Sequence, residues 1–277
     1  MRRMWKVLLV LLAVALGCAA CRKSAGTIAA WFGATDKPQA SLLTVDILCD
    51  SSSGSTCTAD ALREVVQAAL HRTAERPGSS VRLWLQGRNI ETTRLIAVAK
   101  SPARRVVGRR ARADAENRWV AKECAALSSA AANAARKRVR RSPIAESIGV
   151  VALAPPPAIG KREIIVVTDA LEVSDYGEFE CGKLPKPERF ARSLALHGVL
   201  PLGSLAGIAV QFCHVDLGAI DGGRCAVSLG RAAEIRTIWR AALTAAGAST
   251  VEIRSGGIES ETISGKEAIN DQKTQSE

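Results

Sequence analysis

Between Ser41 and Leu70 the chain changes its periodicity once, within a few residues. Leu42–Cys49 is apolar and reads as a strand. Asp50 follows, then Ser51, Ser52, Ser53, Ser55 and Thr56, broken only by Gly54. From Ala59 to Glu75, Leu62, Val65, Val66, Ala69 and Leu70 recur at helical spacing. A strand joined to a helix by a short loop belongs to an open α/β sheet, whose ligands bind just outside the carboxyl ends of the strands. The strand delivers Asp50 to that place. An Asp among hydroxyls is a set of hard oxygen donors, which suits Mg²⁺ or Mn²⁺. The same loop also offers Thr58 or a nearby Ser as a helix cap.

The alternation continues along the chain. Val81–Leu85, Thr93–Ala99, Glu163–Thr168, Ile208–Val215 and Thr250–Arg254 read as further strands, the run REIIVVTD being apolar enough to be buried on both faces. Ala111–Val139, Ile144–Leu153 and Ala232–Ala246 read as helices, stopped by Ser142-Pro143, Pro155-Pro156-Pro157 and Gly247. Gln86-Gly87-Arg88-Asn89 reads as a turn. Strands alternating with helices predict a doubly wound α/β fold: a mainly parallel six-stranded sheet with helices on both faces. Aromatics are 4% of the chain, so Val, Ile, Leu and Ala must build the core.

Outside this domain, the first residues carry Arg2, Arg3 and Lys6, then the apolar run Val7–Gly17, then Cys18-Ala19-Ala20-Cys21. This is the pattern of a secretory signal, too short for a spanning helix. A lipoprotein-type cleavage puts the lipid anchor at Cys21, with Cys18 the alternative; ordinary cleavage or an uncleaved anchor are the other readings. The expected organisation is signal 1–21, tether 22–40, domain 41–255 and polar tail 256–277. All of these readings place the domain outside the cytoplasm, on the periplasmic side of a bacterial membrane. Six cysteines then remain, at 49, 57, 124, 181, 213 and 225. An oxidising compartment permits disulfides, and six cysteines allow 15 pairings. Cys213 with Cys225 is the first candidate, because the turn at Gly222-Gly223 folds the chain back.

Three loops carry a family resemblance. Asp50 and Ser52 match the first two positions of a D-x-S-x-S loop, with Gly54 where the last Ser belongs. Ser142 in Arg141-Ser142-Pro143-Ile144 stands where a Thr precedes the third helix, and Asp169 in Val167-Thr168-Asp169-Ala170 stands where a T-D-G turn follows the buried fourth strand. In this order the chain resembles a von Willebrand factor type A domain over roughly residues 40–255, a Rossmann-type three-layer fold. The resemblance implies a metal-ion-dependent adhesion site built from Asp50, Ser52, Ser142 and Asp169. It would bind Mg²⁺ or Mn²⁺ and leave a position open for a partner's carboxylate.

Charge is the second informative feature. The chain carries a formal net charge of +11. Between Lys100 and Arg141 there are 13 Lys or Arg against Asp114, Glu116 and Glu123, so nearly all of that excess lies in one segment. Its dense clusters are Arg104, Arg105, Arg109 and Arg110, then Arg136, Lys137, Arg138, Arg140 and Arg141. Clustered like charge attracts anionic surfaces, here lipid, lipopolysaccharide or DNA. Only Trp119 is available for base stacking, which disfavours single-strand recognition. The chain has no G-x-S-x-G, P-loop or H-E-x-x-H, and His71, His197 and His214 accompany no nucleophile motif. The sequence therefore predicts an extracytoplasmic, non-enzymatic binding module for a protein partner that it does not name. The alternative is a structural or assembly component of an envelope secretion or conjugation machine with an inactive metal site, docked to anionic membrane or DNA through the basic segment.

Overall fold

A computed structural model describes residues 41–52, 55–102, 108–134, 140–156, 159–216 and 228–257. The chain divides into two units, 1–40 and 41–277, and every described residue belongs to the second. The signal, the tether, Cys18 and Cys21 lie outside the described residues. So do Cys225, Arg104, Arg105, Arg136, Lys137, Arg138 and residues 258–277. Among the described residues no helix is long and apolar enough to cross a membrane.

Six strands form one sheet: β1 Leu43–Cys49, β2 Ser80–Leu85, β3 Arg94–Lys100, β4 Lys161–Val167, β5 Ile208–Cys213 and β6 Thr250–Ile253. Their order is β3-β2-β1-β4-β5-β6. All pairs are parallel except β2–β3, which is antiparallel and carries a register irregularity at Leu83/Trp84. The helices are α1 Ala59–Ala74, α2 Arg109–Ala134, α3 Ile144–Leu153, α4 Pro187–Leu196 and α5 Leu229–Ala245. Alternation along β1 separates two cores: Leu43, Val45, Ile47 and Cys49 pack with α1 and α2, while Leu48 faces the core built with α3, α4 and α5. This is the doubly wound three-layer α/β class that the sequence predicts.

Local chemistry explains most boundaries. Thr58 caps α1 by accepting the Ala61 N–H at 3.2 Å, so the capping reading of the site loop is correct. The sequence reading missed α4. It begins at Pro187, whose fixed φ suits the first helical turn, and buries Phe190 and Leu194. Gly149 lets α3 approach the chain closely, since a Cβ there would lie 2.3 Å from the Val199 carbonyl oxygen. The few aromatics are concentrated: Phe179, Phe190 and Phe212 surround the fully buried Trp239, with ring centroids 5.1–6.0 Å from it.

The centre of the sheet holds charge. Asp46, wholly buried on β1, accepts Arg82 Nε at 2.6 Å and Arg82 Nη2 at 2.8 Å. It also accepts Arg162 Nε at 2.9 Å and Trp84 Nε1 at 2.7 Å. The guanidinium hydrogens left over go to carbonyls at the end of α3: Arg82 to Pro155 at 2.7 Å, Arg162 to Ala152 at 2.8 Å and to Val151. One carboxylate thus satisfies two cations from neighbouring strands, and the negative end of a helix takes the surplus.

Removing Asp46 would leave two buried guanidinium groups without a counter-charge. Asp46→Ala is expected to lower stability by about 3–5 kcal/mol, the range for breaking a buried pair from one side. Urea unfolding at neutral pH measures this, and a loss under 1 kcal/mol, the scale of an exposed pair, would contradict it.

Candidate functional site

The site grows from the period-two geometry of three adjacent strands. Asp46, Leu48 and Asp50 point to one side of β1; Arg82, Trp84 and Gln86 do so on β2; Ile164, Val166 and Thr168 do so on β4. The parallel ladders continue one step past the strand ends. Asp50 N–H donates to the Val167 carbonyl at 3.1 Å, and Gln86 N–H donates to the Cys49 carbonyl at 3.0 Å. Asp50, Gln86 and Thr168 are therefore level at the carboxyl edge.

The Asp50 carboxylate is 1% exposed. Its Oδ1 accepts the Ser52 N–H at 2.8 Å and Gln86 Nε2 at 3.1 Å. Its Oδ2 accepts the Ser142 hydroxyl at 3.0 Å and the Thr168 hydroxyl at 2.9 Å. Gln86 Nε2 also donates to Ser142 Oγ at 3.2 Å. Ser142 is held from behind by a two-way backbone bridge to Val173, at 3.1 and 3.0 Å. The predicted residues Asp50, Ser52 and Ser142 thus meet.

Asp169 stands one step further, in the turn after β4, where its Oδ1 accepts the Leu171 N–H at 2.9 Å. Burial and the nearby Asp50 charge push its carboxyl up to about 8. Asp50 is itself raised by burial, against the opposing pull of its hydrogen bonds. Ala170 closes the turn with φ of 65°, a left-handed conformation unusual for a residue with a Cβ. Trp239 Nε1 holds its carbonyl at 2.9 Å, which ties the turn to the aromatic core.

The loop before α1 is clipped by a disulfide between Cys49 and Cys57, eight residues apart. Ser53 and Gly54 lie outside the described residues. The expected Cys213–Cys225 pairing is not found: Cys213 is a free, fully buried thiol on β5, pushed up to about 12 by burial. Its side chain packs in the core that the sheet forms with α1 and α2. Cys181 is disulfide-bonded, and its partner lies outside the described residues.

The donor set fits a hard dication in its chemistry. A hydroxyl that gives its proton to Asp50 keeps lone pairs for an ion, so Ser52, Ser142 and Thr168 are oxygen donors that Asp50 orients. Asp169 adds a second carboxylate, and the repulsion between the two would be relieved by positive charge. The buried Gln86 Oε1 has no partner, an orphaned acceptor beside the same centre. Among the described residues no group of three or more His, Cys, Asp or Glu could hold an ion, so hydroxyls would have to supply part of the shell.

Gln86, Thr168 and Glu172 were missed as site residues. Parity reveals the first two, since each lies two residues past a strand position facing the Asp46 side. Glu172 has no local signal. It is wholly buried and accepts the Ala145 N–H at 3.0 Å, capping α3, whose own cap residue Pro143 has no side-chain donor or acceptor to offer. Burial pushes its carboxyl up to about 8. Of the basic segment, Arg109 and Arg110 open α2 exposed, at the helix end where the macrodipole disfavours cations. Arg140 is exposed, and Arg141 pairs with Asp175 at 2.7 Å.

No family model matches the chain, and no curated protein matches it. Two solved structures are similar. One is an aerotolerance-related membrane protein from Bacteroides fragilis carrying multiple mutations to serine, 13% identical, with a TM-score of 0.35 over 76% of this chain and 90% of that one. The other is the conserved hypothetical protein BatB from Bacteroides thetaiotaomicron, 12% identical, with a TM-score of 0.37 over 79% and 92%. The strand order and parallel registers themselves establish the doubly wound α/β class.

The Glu172 carboxyl lies above its ordinary value of 4.5 in the folded chain, so its protonated form is the one that folding favours. That stability is fully present below pH 4.5 and is lost as pH rises through about 8. Glu172→Gln, which cannot ionise, is expected to flatten the decline of unfolding free energy between pH 5 and 9 relative to the natural chain. Parallel pH profiles from denaturant titration would contradict this.

Proposed function

We propose that the chain is an extracytoplasmic binding module with a von Willebrand A-like fold. It engages a protein partner at the carboxyl edge of its sheet, in a manner that depends on Mg²⁺ or Mn²⁺. The observation that carries the reading is the meeting of Asp50, Ser52 and Ser142 with the Thr168-Asp169 turn, at the point where the strand order reverses. From β1 the chain winds outward to β2, and from β4 it winds outward to β5, which leaves a crevice between the two strand ends. Three loops distant in sequence converge there in the order that the resemblance implies.

Bound in this crevice, the ion would be held by Asp169 and the hydroxyls of Ser52, Ser142 and Thr168, and would supply a Lewis-acidic position for a partner's carboxylate. Asp50 fixes the hydroxyls, and Gln86 fixes Asp50 and Ser142. The reading is one of binding rather than turnover, in keeping with a sequence that carries no G-x-S-x-G, P-loop or H-E-x-x-H. The Cys49–Cys57 bridge beside the site supports an oxidising compartment. The basic head, apolar run and Cys21 support export with a lipid anchor, Cys18 being the alternative residue. Anionic lipid, lipopolysaccharide or DNA is a second contact, made through the basic segment around residues 100–141.

Thermal unfolding of the purified chain tests the metal arm. Mg²⁺ or Mn²⁺ is expected to raise Tm by several degrees, chelator to reverse the rise, and Asp50→Ala to abolish it. No metal-dependent shift in the natural chain would overturn the dependence and favour a scaffold role. Mass spectrometry of the mature amino terminus tests the anchor: a lipid-modified Cys21 is expected, and an intact Met1 would refute it.

A further inference from the structure

A second polar groove, of about 820 Å³, lies between α1, α5 and the segment after β6. Arg236, Arg240, Arg254, Ser255, Gly256 and Glu64 line it. Arg236 and Arg240 are four residues apart on one face of α5, a spacing at which like charges destabilise a helix. Among the described residues neither has an ion-pair partner, and the Arg236 Nε is buried with no acceptor at all. Leaving a buried donor unsatisfied is costly. Arg254 bridges to Glu252 at 2.7 Å from the rim.

His214 stands next to Glu64, behind the groove lining. It follows β5 in a left-handed conformation with φ of 58°, pinned by its N–H to the Gly256 carbonyl at 3.0 Å. Its Nε2 is buried without a hydrogen bond, and Glu64 Oε2 stands 3.6 Å away. Backbone strain of this kind persists where surrounding structure holds it, and it clusters at ligand sites.

We propose that this groove binds a phosphoryl group, either inorganic phosphate or the phosphomonoester head of an anionic lipid. Three guanidinium groups around one space match a tetrahedral dianion better than a single carboxylate. The guanidinium fork pairs with phosphate oxygens bidentately, and the Ser255 hydroxyl is a further donor. The bound anion offsets the repulsion between Arg236 and Arg240. Glu64 is the opposing charge in the lining, beside Glu252 on Arg254, and it weakens binding. The site is independent of Asp50 and of any metal.

Thermal unfolding of the full mature chain in phosphate, against chloride at equal ionic strength, is the test. Phosphate is expected to raise Tm of the natural chain. Arg236→Gln with Arg240→Gln should lower affinity at least tenfold, while Glu64→Gln should raise it severalfold, a gain that a purely structural role would not produce. The chloride series reports whether each variant folds, and the Glu64 arm stands even where the double variant does not. Sedimentation with phosphatidic acid vesicles distinguishes the sources. Binding that exceeds that to phosphatidylglycerol vesicles and is competed by phosphate assigns the lipid head, and a phosphate shift without it assigns the free anion. No phosphate-specific shift in the natural chain, or no gain from Glu64→Gln, would overturn the proposal.

Discussion

A single buried carboxylate, Asp46, decides how the sheet is put together. It sits opposite Arg82 on β2 and Ile164 on β4, and it receives hydrogen bonds from both flanking strands. A slip of one residue in either pairing would turn a charged side chain to the other face. The cluster carries two cations against one anion, so it also needs the carbonyl end of α3. Sheet register and the seat of α3 are thereby one problem with one solution. A buried ion cluster is poor evidence of great stability, because desolvation offsets attraction, but it penalises misassembly heavily.

What happens at the carboxyl edge follows from that register. Four residues after Asp46, on the same side of β1, Asp50 must lie level with Gln86 and Thr168. The hydrogen-bonded centre needs no adjustable loop to bring these three together; the ladders already do so. Only Ser52 and Ser142 arrive from outside the sheet. Ser142 is positioned by its bridge to Val173 and by α3, whose amino end is capped by Glu172 rather than by a residue next to it. The aromatic cluster reaches the same place from below, through the Trp239 hydrogen bond to Ala170.

The strands and the larger helices were legible because their apolar runs are long and the loops between them are short. α4 was not, because Pro185-Lys186-Pro187 reads as a breaker and only Phe190 and Leu194 among its residues are buried. At the site, Asp50, Ser52, Ser142 and Asp169 could be named from three motifs, yet the direct partner of Asp50 on β4 is Thr168. Strand parity forces this, since Thr168 continues the Ile164 and Val166 side of β4 and residue 169 does not. Glu172 was illegible in principle: its helix lies upstream in the chain, and only the folded path brings them together. The cysteines misled for a similar reason. A turn at Gly222-Gly223 suggested a partner for Cys213, whereas the sulfur that Cys49 reaches is eight residues downstream across the site loop.

Both flanks of the sheet are blunt. β3 runs against its neighbour, carries a register irregularity and ends in exposed Arg94 and Lys100, while β6 is only four residues long. Neither edge offers a long, flat row of free backbone groups to a strand from another molecule. The protein therefore resists linear polymerisation through its sheet, a hazard for any chain held at high local density on a surface. What it leaves open to other molecules is loops and helix faces, where side chains rather than backbone pairing decide a contact.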